Sequence, residues 1–319
     1  MGDFKGVYAA MLTPLGEGGA APSARTVESY CRFLLERGVS GLFPLGTTGE
    51  WPLLREEERM RIAELVVGSA KAWRDDPARG ARPGADSGPA KVIVHAGADS
   101  TDETVRLCRH ARGIGADAVG VICPPYYPLN EEALRFHFIT AARSVPDLPF
   151  FVYFIPSLVR CDMTPALLLN LAREADNIVG LKYSGESIPR FREYRRVLGP
   201  SFSLFIGDDN HALPGLREGA DGIVSGNASA MPELLVDLYR SFRAGEDEAA
   251  TEAQRELDDF IAGIDGRAEL SSFKRILGIR GVPAGEVRRP LNPLSPDGSE
   301  ALAARIRRLE ERNKARKPL

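Results

Sequence analysis

The sequence predicts an α/β protein, a (β/α)8 TIM barrel with a C-terminal helical appendage. Eight short apolar runs alternate with segments of helical periodicity, as in a barrel of buried parallel strands covered by helices. A chain of 319 residues with 44% hydrophobic residues can bury a core of that size. The predicted strands are residues 7–13, 41–46, 91–97, 118–123, 150–154, 178–184, 203–208 and 222–226.

Segments of helical periodicity lie between the predicted strands. Apolar side chains recur in them at three- and four-residue spacing, as on the buried face of a helix. Asn130 before Glu131, and Thr164 before Pro165, are arrangements typical of helix N-termini. The predicted barrel helices are residues 26–37, 56–72, 101–114, 131–144, 164–175 and 189–198.

An open doubly wound sheet is the competing α/β fold. It usually has fewer strand–helix units, and a glycine-rich phosphate turn leads from its first strand into a helix. The glycine cluster at residues 16–19 does not lead into a helix in that way. We interpret the cluster as a loop, and the sequence favours the barrel.

Two regions of the chain fall outside the barrel pattern. We predict a catalytic barrel over residues 1–232 and a helical region over residues 233–319. Residues 74–89 are rich in Gly, Pro, Ala and charged residues, which predicts a flexible surface insertion before the third strand. The predicted C-terminal helices are residues 233–244, 246–264, 268–277 and 299–314.

The charge pattern indicates neither a nucleic-acid partner nor a membrane partner. The formal net charge is −3, and the 27% of charged residues are mixed in sign. The basic stretch at residues 305–316 is interrupted by apolar and acidic residues, which is typical of a solvated terminal helix. Because the apolar runs are only about strand length and the first residues are not apolar, we expect no transmembrane segment and a cytoplasmic location.

Cysteines and histidines do not have the spacing of a metal site. The four cysteines form no CxxC pair, which argues against structural zinc and a disulfide framework and indicates a reducing compartment. The four histidines form no HxxxH or HExxH motif, so we predict a protein without a metal or other cofactor. We expect His95 to be a core histidine with satisfied hydrogen bonds. Asp208 and Asp209 are adjacent and would point to opposite faces of a strand.

Lys182 is the most informative residue because it lies in the otherwise apolar strand predicted at residues 178–184. Active sites of such barrels lie at the C-terminal ends of the strands. Burying a lysine ammonium without a partner is costly and favours the neutral amine, a nucleophile for carbonyl groups. A lysine that snorkels at a strand end, or one in a buried ion pair, is the structural alternative. The residues alone leave both open.

Two further features lie at predicted strand ends. Tyr153 could relay protons between intermediates, although a strand tyrosine is more often a core residue. The turn at residues 46–50 offers two hydroxyls and closely spaced backbone N–H groups, which suit a small carboxylate. The alternative is a tight turn whose glycines serve only the backbone.

The ordered motifs of the chain give it a resemblance to a known family. The motif GLFPLGTTGE at residues 41–50 is the most specific, followed by YFIP at 153–156 and GLK at 180–182. Supporting motifs are PYYP at 125–128, GDD at 207–209 and PLNPL at 290–294. Over residues 4–293 the chain resembles the dihydrodipicolinate synthase / N-acetylneuraminate lyase family of class I pyruvate-dependent aldolases.

The resemblance implies a role for each matching residue. Lys182 would form a Schiff base with the keto carbon of pyruvate, Tyr153 would relay protons, and Thr47 would hydrogen-bond that tyrosine. Tyr127 would reach into a neighbouring subunit's site. Because family members usually assemble as tetramers, we expect a homo-oligomer, a tetramer or a dimer. The residues implied to bind the 2-keto acid substrate are Thr48, Gly46, Val224, Ser225, Gly207 and Asp209.

The chain departs from the family pattern where the second substrate would bind. Phe154 stands where the family usually has a small polar residue. Leu158 stands where synthases place an arginine for a dicarboxylic substrate, and Arg160 is offset from that position by two residues. Asn210 stands where sialic-acid lyases have an acidic residue. The departures leave the second substrate open.

Three hypotheses about function therefore remain. The first is an aldolase or lyase that acts on a 2-keto acid with a sugar-acid-type or other aldehyde partner. The second is a 4-hydroxy-tetrahydrodipicolinate synthase that condenses pyruvate with aspartate semialdehyde, for which Arg160 is the nearby candidate. The third, from another class, is a non-catalytic keto-acid-binding sensor. Retention of Lys182 and Tyr153 argues against that third hypothesis.

Overall fold

Parallel strands close into a barrel in which each strand pairs with the next along the chain and β8 pairs with β1. This computed structural model describes residues 4–16, 19–76 and 89–316. The predicted eight-stranded barrel is confirmed. The strands are β1 (Gly6–Ala10), β2 (Gly41–Phe43), β3 (Lys91–His95), β4 (Ala118–Ile122), β5 (Phe150–Phe154), β6 (Ile178–Tyr183), β7 (Ser203–Ile206) and β8 (Gly222–Ser225).

Helices follow the strands and cover the barrel. Asn130 and Thr164 cap their helices as predicted, since Asn130 Oδ1 accepts from the Ala133 N–H at 2.9 Å and Thr164 Oγ1 accepts from the Leu167 N–H at 3.1 Å. The helices up to β8 are α1 (Ala24–Glu36), α2 (Glu56–Asp75), α3 (Thr101–Gly113), α4 (Glu131–Arg143), α5 (Pro165–Glu174), α6 (Ile188–Leu198) and α7 (Ala212–Arg217). Helix α7 was not among the predicted helices; it is only 6 residues long and contains Pro214 and Gly215.

The predicted C-terminal helices are present. They are α8 (Pro232–Arg243), α9 (Asp247–Ala262), α10 (Glu269–Ile279) and α11 (Pro296–Arg316). Because α8 packs against β1 and β8, it serves as the eighth barrel helix. The division of the chain at residue 232 stays a prediction. None of the helices in the described residues is long and apolar enough to cross a membrane.

The insertion predicted at residues 74–89 begins later than expected. Helix α2 continues through Asp75, and Arg74 Nη1 pairs with Asp117 at 2.9 Å. The helix therefore extends beyond the residue 72 that the sequence pattern indicated. Residues 77–88, which make up most of the predicted insertion, lie outside the described residues.

Aromatic rings fill the barrel interior on its N-terminal side. A Cβ on Gly180 would lie 2.2 Å from the Phe151 ring, and one on Gly41 would lie 2.3 Å from the Tyr8 ring, so only glycine leaves room there. The ring centroids of Phe151 and Tyr8 lie 5.7 Å and 5.1 Å from that of Phe205. These rings make the barrel interior a packed core rather than a pore. The open end is then the C-terminal one.

Candidate active site

Lys182 and Tyr153 are neighbours on adjacent strands of the barrel. They occupy the same register position on β6 and β5, and both side chains are buried. Lys182 Nζ lies 4.0 Å from the centroid of the Tyr153 ring and 4.7 Å from that of Phe43, the last residue of β2. The sequence prediction that these two residues share the strand ends agrees with this geometry.

The surroundings of Lys182 are those of a nucleophile rather than of an ion-paired lysine. Its side chain is only 5% exposed, so the snorkelling alternative does not apply. Over the described parts of the chain, Nζ lies on two aromatic faces and pairs with no carboxylate. A cation over aromatic faces gains only about 0.5–2 kcal/mol. Among the described residues the amine is thus buried against aromatic rings alone, a setting that suits a nucleophile better than a structural ion pair.

Thr47 joins the loop after β2 to this pair. Thr47 Oγ1 and the Tyr153 hydroxyl are 3.1 Å apart, within hydrogen-bond distance. The loop is closed by the Gly49 N–H, which donates to the Gly46 carbonyl at 3.0 Å, and by Thr13 Oγ1, which donates to the Gly49 carbonyl at 2.7 Å. Thr48 follows with its Oγ1 turned toward the end of β8, where a Cβ on Gly226 would lie 3.3 Å from it. The two threonine hydroxyls thus lie near the open end of the barrel.

His95, the last residue of β3, packs against the same tyrosine. The ring centroids of His95 and Tyr153 lie 5.9 Å apart at 88°, an edge-to-face arrangement, and Trp51 lies on another side at 5.5 Å. Burial, with the nearby charges of Arg59 and Lys182, holds the pKa of His95 well below its usual range, so the ring is uncharged at neutral pH. This burial agrees with our expectation of a core histidine, and a hydrogen bond to the Leu45 backbone acts on the pKa of the ring against the effect of burial.

Arg59 on α2 holds the backbone at the end of β3. Its side chain is buried, and Nη2 donates to the His95 carbonyl at 3.2 Å and to the Gly97 carbonyl at 2.8 Å. The same guanidinium lies 5.2 Å from the Trp51 ring centroid. A charged donor on two carbonyls fixes the loop that carries the imidazole. The sequence analysis gave no sign of this contact.

Gly207 and Ser184 border Lys182 on its other side. A Cβ on Gly207 would lie 2.1 Å from Ser184 Oγ and 3.1 Å from Lys182 Cε, so glycine is needed at this position. The Ser184 hydroxyl is buried and has no hydrogen-bond partner within residues 4–16, 19–76 and 89–316. Ser184 lies two residues beyond Lys182, so the period of the strand places it on the same face. That spacing was a sequence signal that we did not use.

Val224, Ser225 and Asp209 lie together at the ends of β8 and β7. Val224 is buried, and the hydroxyl of Ser225 donates to Asp209 Oδ2 at 2.7 Å. The same oxygen accepts from Asn227 Nδ2 at 2.7 Å, and the Asp209 carbonyl accepts from Gln254 of α9 at 3.0 Å. These bonds join β7, β8 and α9. Burial raises the pKa of Asp209, against the lowering effect of the bonds from Ser225 and Asn227. A role for these residues in substrate binding stays a prediction.

No metal centre is evident among the described residues. None of their histidine, cysteine, aspartate and glutamate side chains form a group of three that could hold an ion. Asp208 and Asp209 follow the end of β7 rather than lying on the strand as predicted; Asp208 Oδ1 lies 3.3 Å from His211 Nδ1, while Asp209 Oδ2 accepts from Ser225. Independence from metals stays a prediction for the assay described below.

Comparison with known families identifies the relationship. The sequence model of the Dihydrodipicolinate synthetase family matches residues 3–309. The chain belongs to this family. It is accordingly an enzyme of the lyase class, of the class I aldolase type.

Individual members of the family are similar over most of their length. The chain is 35% identical over 281 residues to an uncharacterized DapA-like lyase of Halobacterium salinarum, covering 88% of this chain and 86% of the relative. It is 33% identical over 306 residues to the 4-hydroxy-tetrahydrodipicolinate synthase of Bartonella bacilliformis, covering 95% and 97%.

Solved structures of the family share the barrel. YagE of E. coli K12, in complex with pyruvate, superposes with a TM-score of 0.86 at 27% identity and covers 96% of this chain and 99% of its own. A catalytic-lysine mutant of the Ruminococcus gnavus sialic acid aldolase superposes with a TM-score of 0.87 at 26% identity and covers 97% and 98%. The family therefore includes members whose names indicate different second substrates.

Tyr127 does not lie in the site of its own chain. Tyr126 and Tyr127 follow β4, their rings pack edge to face at 5.0 Å, and they are 71% and 68% exposed. Aromatic side chains that protrude together in this way usually mark a contact surface. The structure thus leaves Tyr127 free to reach another subunit, and that role stays a prediction.

The departures from the family pattern do not all lie in the pocket. Phe154 alternates with Tyr153 along β5, so its side chain lies on the outer face of the strand, where its ring is 6.1 Å from that of Tyr183. Leu158, by contrast, is 49% exposed in the loop after β5, and Arg160 is also exposed. Leu158, Arg160 and Asn210, which is exposed in the turn after β7, are therefore the departures that lie on exposed loops after the strands.

Proposed function

We propose that this enzyme forms a Schiff base between Lys182 and the keto carbon of pyruvate, and that it acts as an aldolase or lyase on a 2-keto acid. The observation that carries the proposal is the buried Lys182 amine beside a tyrosine that Thr47 hydrogen-bonds at 3.1 Å. An amine desolvated in this way attacks carbonyl carbon. Membership of the Dihydrodipicolinate synthetase family and the pyruvate complex of YagE support the choice of substrate.

The reaction needs proton transfers that Tyr153 is placed to make. The Lys182 amine adds to C2 of pyruvate, the carbinolamine loses water, and the imine results. Loss of a C3 proton then gives an enamine, whose C3 attacks the aldehyde carbon in condensation; cleavage is the reverse. A phenol hydrogen-bonded to Thr47 can both donate and accept protons at these steps. No metal is required, because the imine withdraws electrons from C3.

The carboxylate of pyruvate is the group that the loop after β2 would bind. The hydroxyl of Thr48 lies near the end of β8, and the turn that contains it is held by backbone hydrogen bonds to the Gly46 carbonyl; backbone turns of this kind can bind a small anion. Gly207 leaves room beside the lysine side chain. A carboxylate held there would present its neighbouring keto carbon to the amine.

The second substrate is a neutral or hydroxylated aldehyde. Ser184 offers a buried hydroxyl without a partner in the described residues, which can donate to or accept from a substrate hydroxyl. Leu158 cannot pair with a carboxylate. A condensation of pyruvate with aspartate semialdehyde is the second candidate, supported by exposed Arg160 and by the Bartonella synthase relative. A non-catalytic sensor would have no use for the Thr47–Tyr153 relay.

The active assembly is a homo-oligomer, a dimer or a tetramer, in which Tyr127 enters the site of a neighbouring copy. Its exposure at 68%, beside exposed Tyr126, supports this arrangement. Tyr127→Ala would weaken association and turnover together, which light scattering and an activity assay can follow. Tyr127→Phe would keep association, so it isolates the contribution of the hydroxyl.

A substrate panel tests the proposed function. Pyruvate released from hydroxylated 2-keto acids of the sugar-acid type would be measured with a coupled reductase, beside condensation of pyruvate with aspartate semialdehyde. Release from at least one such 2-keto acid by the wild type, with none from Lys182→Ala, is the expected result. A protein that binds pyruvate but turns over no member of the panel would favour the sensor.

A further inference from the structure

Glu50 and Lys274 form a buried ion pair between the loop after β2 and helix α10. Lys274 Nζ lies 2.6 Å from Glu50 Oε1, and the two side chains are 1% and 0% exposed. Glu50 Oε2 accepts from the Arg288 N–H at 2.7 Å, and Lys274 Nζ donates to the Glu286 carbonyl at 2.7 Å. Lys274 of α10 and the backbone N–H of Arg288, both in the C-terminal region, thus bind the Glu50 carboxylate of this loop.

This loop has a conformation that requires support. Leu45 and Glu50, which bracket it, have φ values of 64° and 61°, in the left-handed region that side chains other than glycine rarely adopt. Such strain persists only where surrounding contacts determine the conformation. The carboxylate of Glu50 is anchored at the strained residue itself. Between Leu45 and Glu50 lie Thr47 and Thr48.

Helix α10 also approaches the site directly. A Cβ on Gly226 would lie 3.3 Å from Thr48 Oγ1 and 3.7 Å from the Phe273 ring, so Thr48 and Phe273 border the same point at the end of β8. Lys274 is the residue after Phe273. Burial lowers the pKa of Lys274, and the charge of Glu50 acts against that effect.

We infer that Glu50 and Lys274 are positioning residues, which hold the Thr47–Thr48 loop so that it can bind the carboxylate of the 2-keto acid. The inference rests on the proposed function, and it makes the C-terminal region part of the substrate site. The ion pair does not contact substrate. It acts through the backbone between Glu50 and Thr48, where a displacement of about 1 Å can cost a factor of about a hundred in rate.

A second buried cation of the C-terminal region provides a matched control. Arg280 follows α10 and is largely buried; its Nη2 lies 2.6 Å from Glu233 Oε1, and its Nη1 donates to the Ala230 carbonyl at 2.7 Å. These bonds tie α10 to α8 rather than to the loop after β2. Arg280→Met therefore tests loss of a buried ion pair without a direct effect on Thr47 or Thr48.

The variants are chosen so that the protein folds. Lys274→Met alone would leave the Glu50 carboxylate buried and unpaired, which is strongly destabilising. The double variant Glu50→Gln/Lys274→Met removes both charges, and a neutral pair of similar volume is tolerated much better. Lys274→Arg keeps the charge but changes its geometry. Lys274→Arg is measured beside the double variant. If the double variant does not fold, Lys274→Arg is used for the test in its place.

The measurement is the pyruvate concentration that gives half-maximal borohydride trapping of Lys182. The double variant is expected to raise this pyruvate concentration about ten- to a hundredfold. Lys274→Arg should raise it by a smaller factor, and Arg280→Met should leave it unchanged. Equal half-maximal concentrations in wild type, Lys274→Arg and the double variant would overturn the inference, even if the variants unfold at lower temperature. Absence of any adduct in the wild type would overturn the proposed function and the inference with it.

Discussion

Tyr153 and Lys182 share one register position on adjacent strands, and the lysine amine lies 4.0 Å from the centroid of the tyrosine ring. The register of two parallel strands thus determines which phenol stands beside the amine. Because the Tyr153 hydroxyl is 3.1 Å from Thr47 Oγ1, the ring cannot turn away without breaking a bond. Lys182, Tyr153 and the loop after β2 are therefore fixed relative to one another.

Tyr153→Phe tests the proton relay. The variant keeps the ring beside Lys182 and loses the hydroxyl, so kcat is expected to fall about 10²- to 10⁴-fold, the usual range for a general acid–base group. Thr47→Val is the control, and alone it should lower kcat less than Tyr153→Phe does. Adding it to Tyr153→Phe should lower kcat little further, because both changes break the same hydrogen bond. Fully additive losses in a double-mutant cycle would mean that the two hydroxyls act separately.

The uncharged state of His95 predicts a dependence of stability on pH. Its pKa in the folded protein lies well below 6.5, so the unfolded chain binds more protons at acid pH and the free energy of unfolding falls as pH drops below about 6.5. The slope is up to about 1.4 kcal/mol per pH unit for one group. His95→Leu should weaken this dependence of the free energy of unfolding on pH, as measured by denaturant unfolding. His137, whose pKa is lowered to about 4 by burial, contributes a slope of the same sign, and at lower pH so do carboxylates with lowered pKa values such as Glu58.

Activity is expected to be independent of metal ions. In the proposed mechanism the imine provides the electron withdrawal that a Lewis acid would otherwise provide, and no group of three potential ligands occurs among the described residues. Dialysis against a strong chelator should leave kcat and KM unchanged. Loss of activity that a divalent cation restores would contradict this expectation and would direct attention to Asp208 and its neighbour His211.

Leu158 predicts the choice of aldehyde. An arginine in its place could bind a second carboxylate, a contact worth about 1.5–3 kcal/mol or about ten- to a hundredfold in binding. Leu158→Arg should therefore raise kcat/KM for aspartate semialdehyde, and Arg160→Leu should leave it unchanged. If the wild type prefers the semialdehyde over sugar-derived 2-keto acids by more than about tenfold, Leu158 does not set the specificity.

The barrel was predictable from the sequence, because the apolar runs reflect strand burial directly, and the ordered motifs placed the candidate site residues at the strand ends. Most predicted strands ended one to three residues too late. Residues such as Gly46 and Gly97 are small and continue the apolar run, but their backbone has already left the strand to form the loops that carry the site. Periodicity detects burial and does not detect where a strand bends.

The partners of buried polar groups were not predictable. Glu50 stands in a recognisable motif, but nothing in the sequence pairs it with Lys274, which lies in another region of the chain. The same holds for Arg59 and the carbonyls of His95 and Gly97. Such contacts depend on the packing of whole helices, which a single sequence does not encode in a local pattern.

The most direct test of the central claim is the mass of the protein after reduction with borohydride in the presence of pyruvate. One reduced pyruvate adduct per chain is expected in the wild type, on the peptide that contains Lys182, and none in Lys182→Ala. Lys274, which is buried in its ion pair, should stay unmodified in both proteins. An adduct that persists in a folded Lys182→Ala variant, or a wild type that is never modified, would contradict the account.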